Sequence, residues 1–361
     1  MPMKVGIVGM PNAGKSSLFS ALTGVAAEAA NYPFTTIEPN IAVVPVQDER
    51  MRQVASTVKA SKIVWDTIAF HDIAGLVAGA HKGEGLGNQF LANIRETDAL
   101  VHVVRAHADG SIIHPEGNVN PLRDIATIET ELIYADLEQA ERRLERVIRQ
   151  ARGGDKHAVA ESAWLTEVIE ALQQGKPVRT VPAPDEAADA PQLLGSLTSK
   201  PVLFVANIDE GDTDTPAEIA DYARSQGAKA VAVSARLEAE LGALPADEAA
   251  ELRTGLGLAE SGLTTVVRGA FELLELISFF TAGEDKPAQT WHLRQGLSAW
   301  HAAGQIHSDI QKGFVRAEVV SWEKLVEYGG YSGAREHAAL RLEGRDYTML
   351  DGDVITIKFT P

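Results

Sequence analysis

Over the first 121 residues, short apolar runs rich in β-branched residues alternate with Gly-punctuated turns and polar helical stretches. Residues 5–8, 41–46, 63–70 and 100–104 each read as a strand, and this alternation predicts βα units around a sheet buried on both faces. Two later runs, 202–205 and 230–233, extend the pattern, and each is followed closely by a polar residue, Asn207 and Ser234 respectively. Ligands of open α/β sheets bind at that edge, outside the carboxyl ends of the strands.

Between these groups the period changes. Ile133, Leu137, Ala140, Leu144 and Val147 recur at spacings of four, three, four and three, a coiled-coil-like seam whose other faces carry Glu138, Glu141, Arg142, Arg143, Glu145 and Arg146. Gly153 and Gly154 interrupt it, and Leu165, Val168, Ile169 and Leu172 resume a helical stripe that stops before Gly175 and Pro177. An antiparallel helical hairpin inserted into the α/β domain is expected, returning to the sheet through a loop over residues 180–191, which hold three prolines. After a helical stripe over 266–276, the chain turns to Gly-punctuated short runs and finishes with a period-two strand over 354–359, behind the turn Leu350, Asp351, Gly352, Asp353. The expected division is a nucleotide-binding domain of residues 1–121 and 196–283, a helical insertion of 122–195 and a small α+β module of 284–361.

Composition narrows the class. With 361 residues, 45% hydrophobic and 23% charged, the chain is an ordinary globular protein too long for one core. No stretch of eighteen apolar residues is present, and the first apolar run is broken by Pro11, so neither a membrane span nor a signal peptide is expected and the reading is a cytoplasmic protein. The absence of cysteine excludes thiolate metal sites and a cysteine nucleophile. A net charge of -17 repels nucleic acid from the body as a whole, yet from Asp285 onward there are nine basic residues against ten acidic ones, so an RNA contact is least penalised there.

The chemistry starts at Gly9, Met10, Pro11, Asn12, Ala13, Gly14, Lys15, Ser16, a phosphate-loop pattern directly after a strand and before a helix. Glycine lets such a loop fold its amides around phosphate oxygens while the next helix presents its positive end. The expected contacts are the backbone and side chains of Asn12 through Ser17, with Lys15 on the β and γ phosphates and the Ser16 hydroxyl on Mg²⁺. The strand ending in His71, Asp72, Ile73, Ala74, Gly75 adds a carboxylate for Mg²⁺ at Asp72 and an amide for the γ phosphate at Gly75. Asn31, Tyr32, Pro33, Phe34, Thr35, Thr36 adds a threonine, Thr36, to complete the metal shell. Together these make a switch-type NTPase set.

Residues 34–40 (FTTIEPN), 81–90 (HKGEGLGNQF) and 94–98 (IRETD), followed far downstream by 234–240 (SARLEAE) and 302–314 (AAGQIHSDIQKGF), resemble the YchF or Obg-like ATPase family, an Obg-related branch of translation-factor-class P-loop NTPases. The resemblance covers essentially the whole chain. It implies an α/β P-loop G-domain sheet, an inserted coiled-coil hairpin and a C-terminal TGS module, a small β-grasp domain often associated with RNA or the ribosome. It further implies an ATPase of low intrinsic rate, a monomer, whose partners are ATP and the large ribosomal subunit or ribosome-bound factors.

Two departures from guanine nucleotide enzymes bear on this. A guanine reader uses Asn-Lys-x-Asp, the Asp carboxylate accepting two guanine N–H groups; here the segment is Asn207, Ile208, Asp209, Glu210, without the lysine and with a longer carboxylate in the last place. Adenine presents a donor beside an acceptor, which an Asn amide can match and a strict double acceptor cannot. ATP is therefore expected over GTP, with Asn207, Ile208, Glu210, Ser234 and Ala235 around the base; a one-residue slip that lets Asp209 read guanine stays open. The second departure is Leu76, after Gly75, where many GTPases place a water-orienting glutamine. The resemblance implies that a histidine on a mobile loop, matching His114, takes that role as catalytic residue beside Lys15. Asn12 suits two tasks, holding K⁺ near the phosphates or tolerating a tight backbone turn. An adaptor that binds RNA or ribosomes and uses nucleotide only structurally is the competing function.

Overall fold

In the computed structural model, residues 3–29, 40–73, 86–108, 112–258 and 260–360 are described. The first sheet contains β1 (Met3–Val8), β2 (Ile41–Pro45), β4 (Thr67–Asp72), β5 (Ala99–Arg105), β6 (Val202–Asn207) and β7 (Lys229–Val233), in the order β2-β4-β1-β5-β6-β7. β1, β5, β6 and β7 run parallel, with Val5 opposite Ala99, Leu100 opposite Val202 and Leu203 opposite Lys229. Every residue of β5 and β6 is buried, which explains their unbroken apolar runs. The parallel register brings the carboxyl ends of β1, β5 and β6 to one edge, where the loops after them carry the candidate chemistry.

The inserted hairpin forms as the heptad-like spacing predicts. Helix α4 (Pro121–Ala151) starts with Pro121 in its first turn and Asn120 as cap, the Asn120 side chain accepting from the Arg123 N–H at 3.0 Å. The hairpin's returning helix, Lys156–Gln173, is capped by Asp155. Ile133, Ala140 and Val147 pack against Leu165, Val168 and Leu172. Residues 180–191 are more ordered than a loop signal suggests. Short 3-10 turns at Val178–Thr180 and Asp185–Ala187 lead into a helix at Ala190–Leu194, and Val178, Ala187, Ala190 and Leu194 are all buried in the hairpin core. Those four apolar residues have no helical or strand period, so only packing reveals them. The buried Asp136 carboxylate on α4 accepts from Leu197 N, Thr198 N and Thr198 Oγ1 at 2.7–2.8 Å, fastening the hairpin's exit to its entry.

The run 63–70, expected as one strand, is two. β3 (Lys62–Val64) lies beside β9 (Pro287–Arg294) in the second sheet, whereas β4 belongs to the first. The break falls at Asp66, whose carboxylate accepts from the Thr67 N–H and the His292 N–H, both at 2.8 Å. A short carboxylate that captures local amides in this way terminates a ladder. The second sheet has the order β11-β10-β12-β8-β9-β3, with β8 (Leu276–Thr281), β10 (Phe314–Ser321), β11 (Arg341–Glu343) and β12 (Asp353–Phe359). Its first and last C-terminal strands, β8 and β12, lie parallel at the centre and a helix at Ala299–Ile306 packs on one face, a β-grasp arrangement. The helix Glu49–Thr57 covers the other face through Met51, Val54 and Ala55. The chain accordingly forms two compact units, residues 3–44 with 69–270, and residues 45–68 with 271–361. Among the described residues no helix is long and apolar enough to cross a membrane.

Candidate nucleotide site

β1 ends at Val8 and helix α1 (Lys15–Ala29) begins at Lys15, so residues 9–14 must reverse the chain within one tight loop. Three positions do this in the left-handed half of backbone space: Gly9 at φ 153°, Asn12 at φ 61° and Gly14 at φ 102°. Space is as demanding as dihedral. A Cβ on Gly9 would sit 2.4 Å from the Val103 carbonyl oxygen, and one on Gly14 would sit 2.2 Å from Asn207 Nδ2. Because Asn207 is anchored at both ends of its amide, it cannot yield, and Gly14→Ala is expected to lose about 1–3 kcal/mol of stability to backbone strain alone, with nucleotide affinity falling in parallel. Denaturant unfolding and nucleotide calorimetry on the same preparation check both.

Lys15 is buried, and its Nζ donates to the carbonyl oxygens of Gly9 at 3.0 Å and Met10 at 2.7 Å. The ammonium is thus curled into the concavity where phosphate oxygens would replace the carbonyls. Burial lowers its pKa to about 8, with Asp72 pulling the other way. Asp72, half-buried at the end of β4, has its pKa raised by the same desolvation and lowered by Lys15. On β5, beyond β1, burial and the Lys15 charge drive His102 to about 3, so it packs as a neutral ring 5.4 Å from Phe204. Ser16 and Ser17 are exposed at the start of α1, whose first turn carries no acidic residue, leaving its positive end uncompensated.

Ser16 and Asp72 are hard oxygen donors, and a carboxylate whose charged form burial disfavours gains from a cation. Among the described residues no cluster of three or more His, Asp or Glu could hold a metal. Mg²⁺ takes one or two protein ligands and completes its shell with phosphate and water. Thr36, Gly75 and Leu76 lie outside the described residues.

The base-side residues divide into two kinds. Asn207 is buried and braces the site: its Nδ2 donates to the Ala13 carbonyl at 3.0 Å and its Oδ1 accepts from the Ala235 N–H at 3.1 Å, joining the phosphate loop to the turn after β7. Ile208 is buried with its N–H on the Val233 carbonyl. Glu210 is more open, and its carboxylate accepts from Arg236 Nε. Next to them opens a cleft of about 370 Å³, lined by Ile208, Glu210, Ser234 and Leu237 and by Leu256, Leu258, Gly262 and Thr265. Sequence reasoning missed that second wall. It is held by the buried Glu238, which accepts from Ser261 Oγ at 2.8 Å and the Gly262 N–H at 2.6 Å. Nothing in the residue pattern marks Glu238 as buried, so only packing reveals this wall.

His114 lies apart from these groups in side chain though not in backbone. The carbonyl of the preceding Ile113 accepts from Asn12 Nδ2 at 3.0 Å, and that of Ile112 from Arg105 Nη1 at 3.2 Å. The His114 ring itself is buried against α4. The structure therefore gathers Ala13, Gly14, Lys15, Asn207 and Ala235 into one network, with Asp72 electrostatically coupled to Lys15, and leaves the His114 ring outside it.

A family model described as a 50S ribosome-binding GTPase matches residues 4–144, and one named YchF-GTPase_C, described as a protein of unknown function, matches residues 276–360. A Bacillus subtilis protein called ribosome-binding ATPase YchF is 44% identical over 365 residues, covering 99% of this chain and 100% of the relative. The chain belongs to the YchF family. The protein of the same name from Escherichia coli O157:H7 is 46% identical over 362 residues, with 99% of each chain covered. Among solved structures, the Schizosaccharomyces pombe YchF GTPase superposes with a TM-score of 0.87 at 34% identity, over 99% of this chain and 97% of that one. A Pyrococcus horikoshii GTP-binding protein shares the fold at a TM-score of 0.64 and 20% identity, covering 99% of this chain and 100% of its own. In this YchF chain the helical insertion lies between β5 and β6 of the α/β P-loop sheet, and the β-rich unit carries the C-terminal strands.

Proposed function

We propose that this YchF protein binds Mg²⁺-ATP on the loop of residues 9–17 and hydrolyses it to ADP and phosphate, as a nucleotide-dependent switch acting on the ribosome in translation or stress regulation. The observation that carries the reading is the phosphate loop itself, with left-handed Gly9, Asn12 and Gly14 and an ammonium, Lys15, held inside it on the Gly9 and Met10 carbonyls. The relatives' names, ribosome-binding ATPase, supply the substrate and the partner.

Mg²⁺ would be held by Ser16 and Asp72, with Thr36 as a further ligand, and when bound it neutralises charge developing on the β and γ oxygens. Gly75 would offer its amide to the γ phosphate. Asn12 already gives its Nδ2 to Ile113, so its side-chain oxygen is the atom that would hold K⁺. Leu76 cannot orient water, and we assign that task to His114. The nucleotide domain would comprise residues 1–121 and 196–283, the insertion 122–195 and the C-terminal module 284–361, although residues 45–68 and 271–283 pack with that last module. That module, least acidic in charge, would make any RNA contact on the large subunit. The protein would act as a cytoplasmic monomer.

For the base, Ile208 and Glu210 in place of the guanine-reading pair favour adenine, and Glu210 is further occupied by Arg236. The cleft beside Ile208, Ser234 and Leu237 would take the ring, while Asn207 ties the phosphate loop to the turn after β7. The relatives' names divide between ATPase and GTPase, so nucleotide preference is the decisive measurement. Calorimetry with ATP and GTP, with and without ribosomal subunits, is expected to show tighter ATP binding and a nucleotide-dependent ribosome interaction. Tighter GTP binding overturns the base assignment; ribosome binding indifferent to a folded Lys15→Ala protein favours the adaptor reading. Ile208→Lys combined with Glu210→Asp is expected to shift preference toward GTP.

A further inference from the structure

Both ring nitrogens of His114 are occupied. Nδ1 accepts the Glu116 N–H at 3.1 Å, which puts the ring proton on Nε2, and that N–H lies 2.8 Å from Asp124 Oδ2. Both side chains are 4% exposed, so the ring is almost closed to solvent in this arrangement. Asp124 sits in the first turn of α4, the 31-residue helix that forms half of the hairpin. The same short segment is tied to the phosphate loop by the Asn12 to Ile113 bond. One end of the segment thus follows the nucleotide loop and the other follows the helical insertion.

We propose that Asp124 is a latch that withholds His114 from the nucleotide site, so that hydrolysis requires the His114–Asp124 bond to open. This rests on the reading of His114 as the water-positioning group. A ring with both nitrogens spent cannot accept a hydrogen bond from the attacking water, and turnover then scales with the fraction of molecules in which the ring is released. The bond joins a buried N–H to a carboxylate, a pairing strong enough to bias the two states by about tenfold. Because Asp124 belongs to α4, anything that displaces the base of the hairpin loosens the latch, which makes the insertion a lever on the hydrolysis rate. A low intrinsic rate follows from the latch without a weak active site.

The test is turnover at saturating ATP in Asp124→Ala and Asp124→Asn. The alanine variant is expected to raise kcat about three- to tenfold with KM unchanged, and the asparagine variant, which keeps the size and an acceptor oxygen, to raise it less. A merely structural role would lower activity instead. In a His114→Ala background the Asp124 substitutions are expected to change nothing. An unchanged or reduced kcat in both Asp124 variants, with His114→Ala still impaired, overturns the latch. Parent-like turnover in His114→Ala instead overturns the role of His114. Nitrogen-15 NMR of the ring tests the latch independently of hydrolysis: the parent is expected to show the Nε2–H tautomer and Asp124→Ala to lose that preference, and an Nδ1–H tautomer in the parent refutes it.

Discussion

Lys15→Ala is expected to lose at least a hundredfold in affinity for Mg²⁺-ATP while leaving the fold intact. In the free protein the ammonium donates to two carbonyls of its own loop, and its removal frees those carbonyls to bind water when the loop is empty. In the complex the same group faces the β and γ phosphates, and a charge-assisted contact of this kind in a dry loop contributes about 3 kcal/mol, or roughly a hundredfold in Kd. The lowered pKa adds a pH signature. Burial brings Lys15 from 10.5 to about 8 in the empty protein, and phosphate, by favouring the charged form, raises it again. Above pH 8, binding must therefore take up a proton, and ATP affinity is expected to fall by up to about tenfold per pH unit until the bound-state value is reached. Stability of the empty protein moves the opposite way: the depressed folded pKa means that the lysine's contribution is full above 10.5 and is lost as pH falls through 8. Calorimetry in buffers of different ionisation enthalpy reads the proton directly. Parent-like ATP affinity in Lys15→Ala would remove the phosphate site from residues 9–17.

His114→Ala is expected to lower turnover by about ten- to a thousandfold at saturating ATP, the range for losing a water-orienting group, with ATP affinity nearly unchanged. Its ring lies off the phosphate loop, so the ground-state complex should not depend on it. Single-turnover hydrolysis in the presence of K⁺ checks this. Equal rates in variant and parent would leave a cation on Asn12 as the principal alternative, and replacement of K⁺ by Na⁺ would then be the effect to measure.

Much of this protein was legible without coordinates because its signals are local. The phosphate loop needs only glycine at two left-handed positions and a lysine at the start of a helix, and Gly9, Gly14 and Lys15 state both in eight consecutive residues. Ile133 through Val147 announce a packed hairpin because a 3.5-residue period has one structural solution. The absence of the guanine-reading lysine at Ile208 is likewise a property of one short segment.

What the tertiary structure decided are pairings between residues far apart in the chain. Asn207, expected at the base, also braces Ala13 to Ala235, its amide donating to one backbone group and accepting from the other at a buried strand end. The run 63–70 divides between two sheets since Asp66 captures the His292 amide, 226 positions away. His114 faces Asp124 rather than the phosphates, and the wall of the cleft hangs from Glu238. The order of residues specifies backbone periods and loop geometry, which depend on neighbours within a few positions; it does not specify which of many equivalent polar groups satisfies a buried one. That choice is made by the packing that brings them within 3 Å, where an unsatisfied partner would cost more than any local preference can supply.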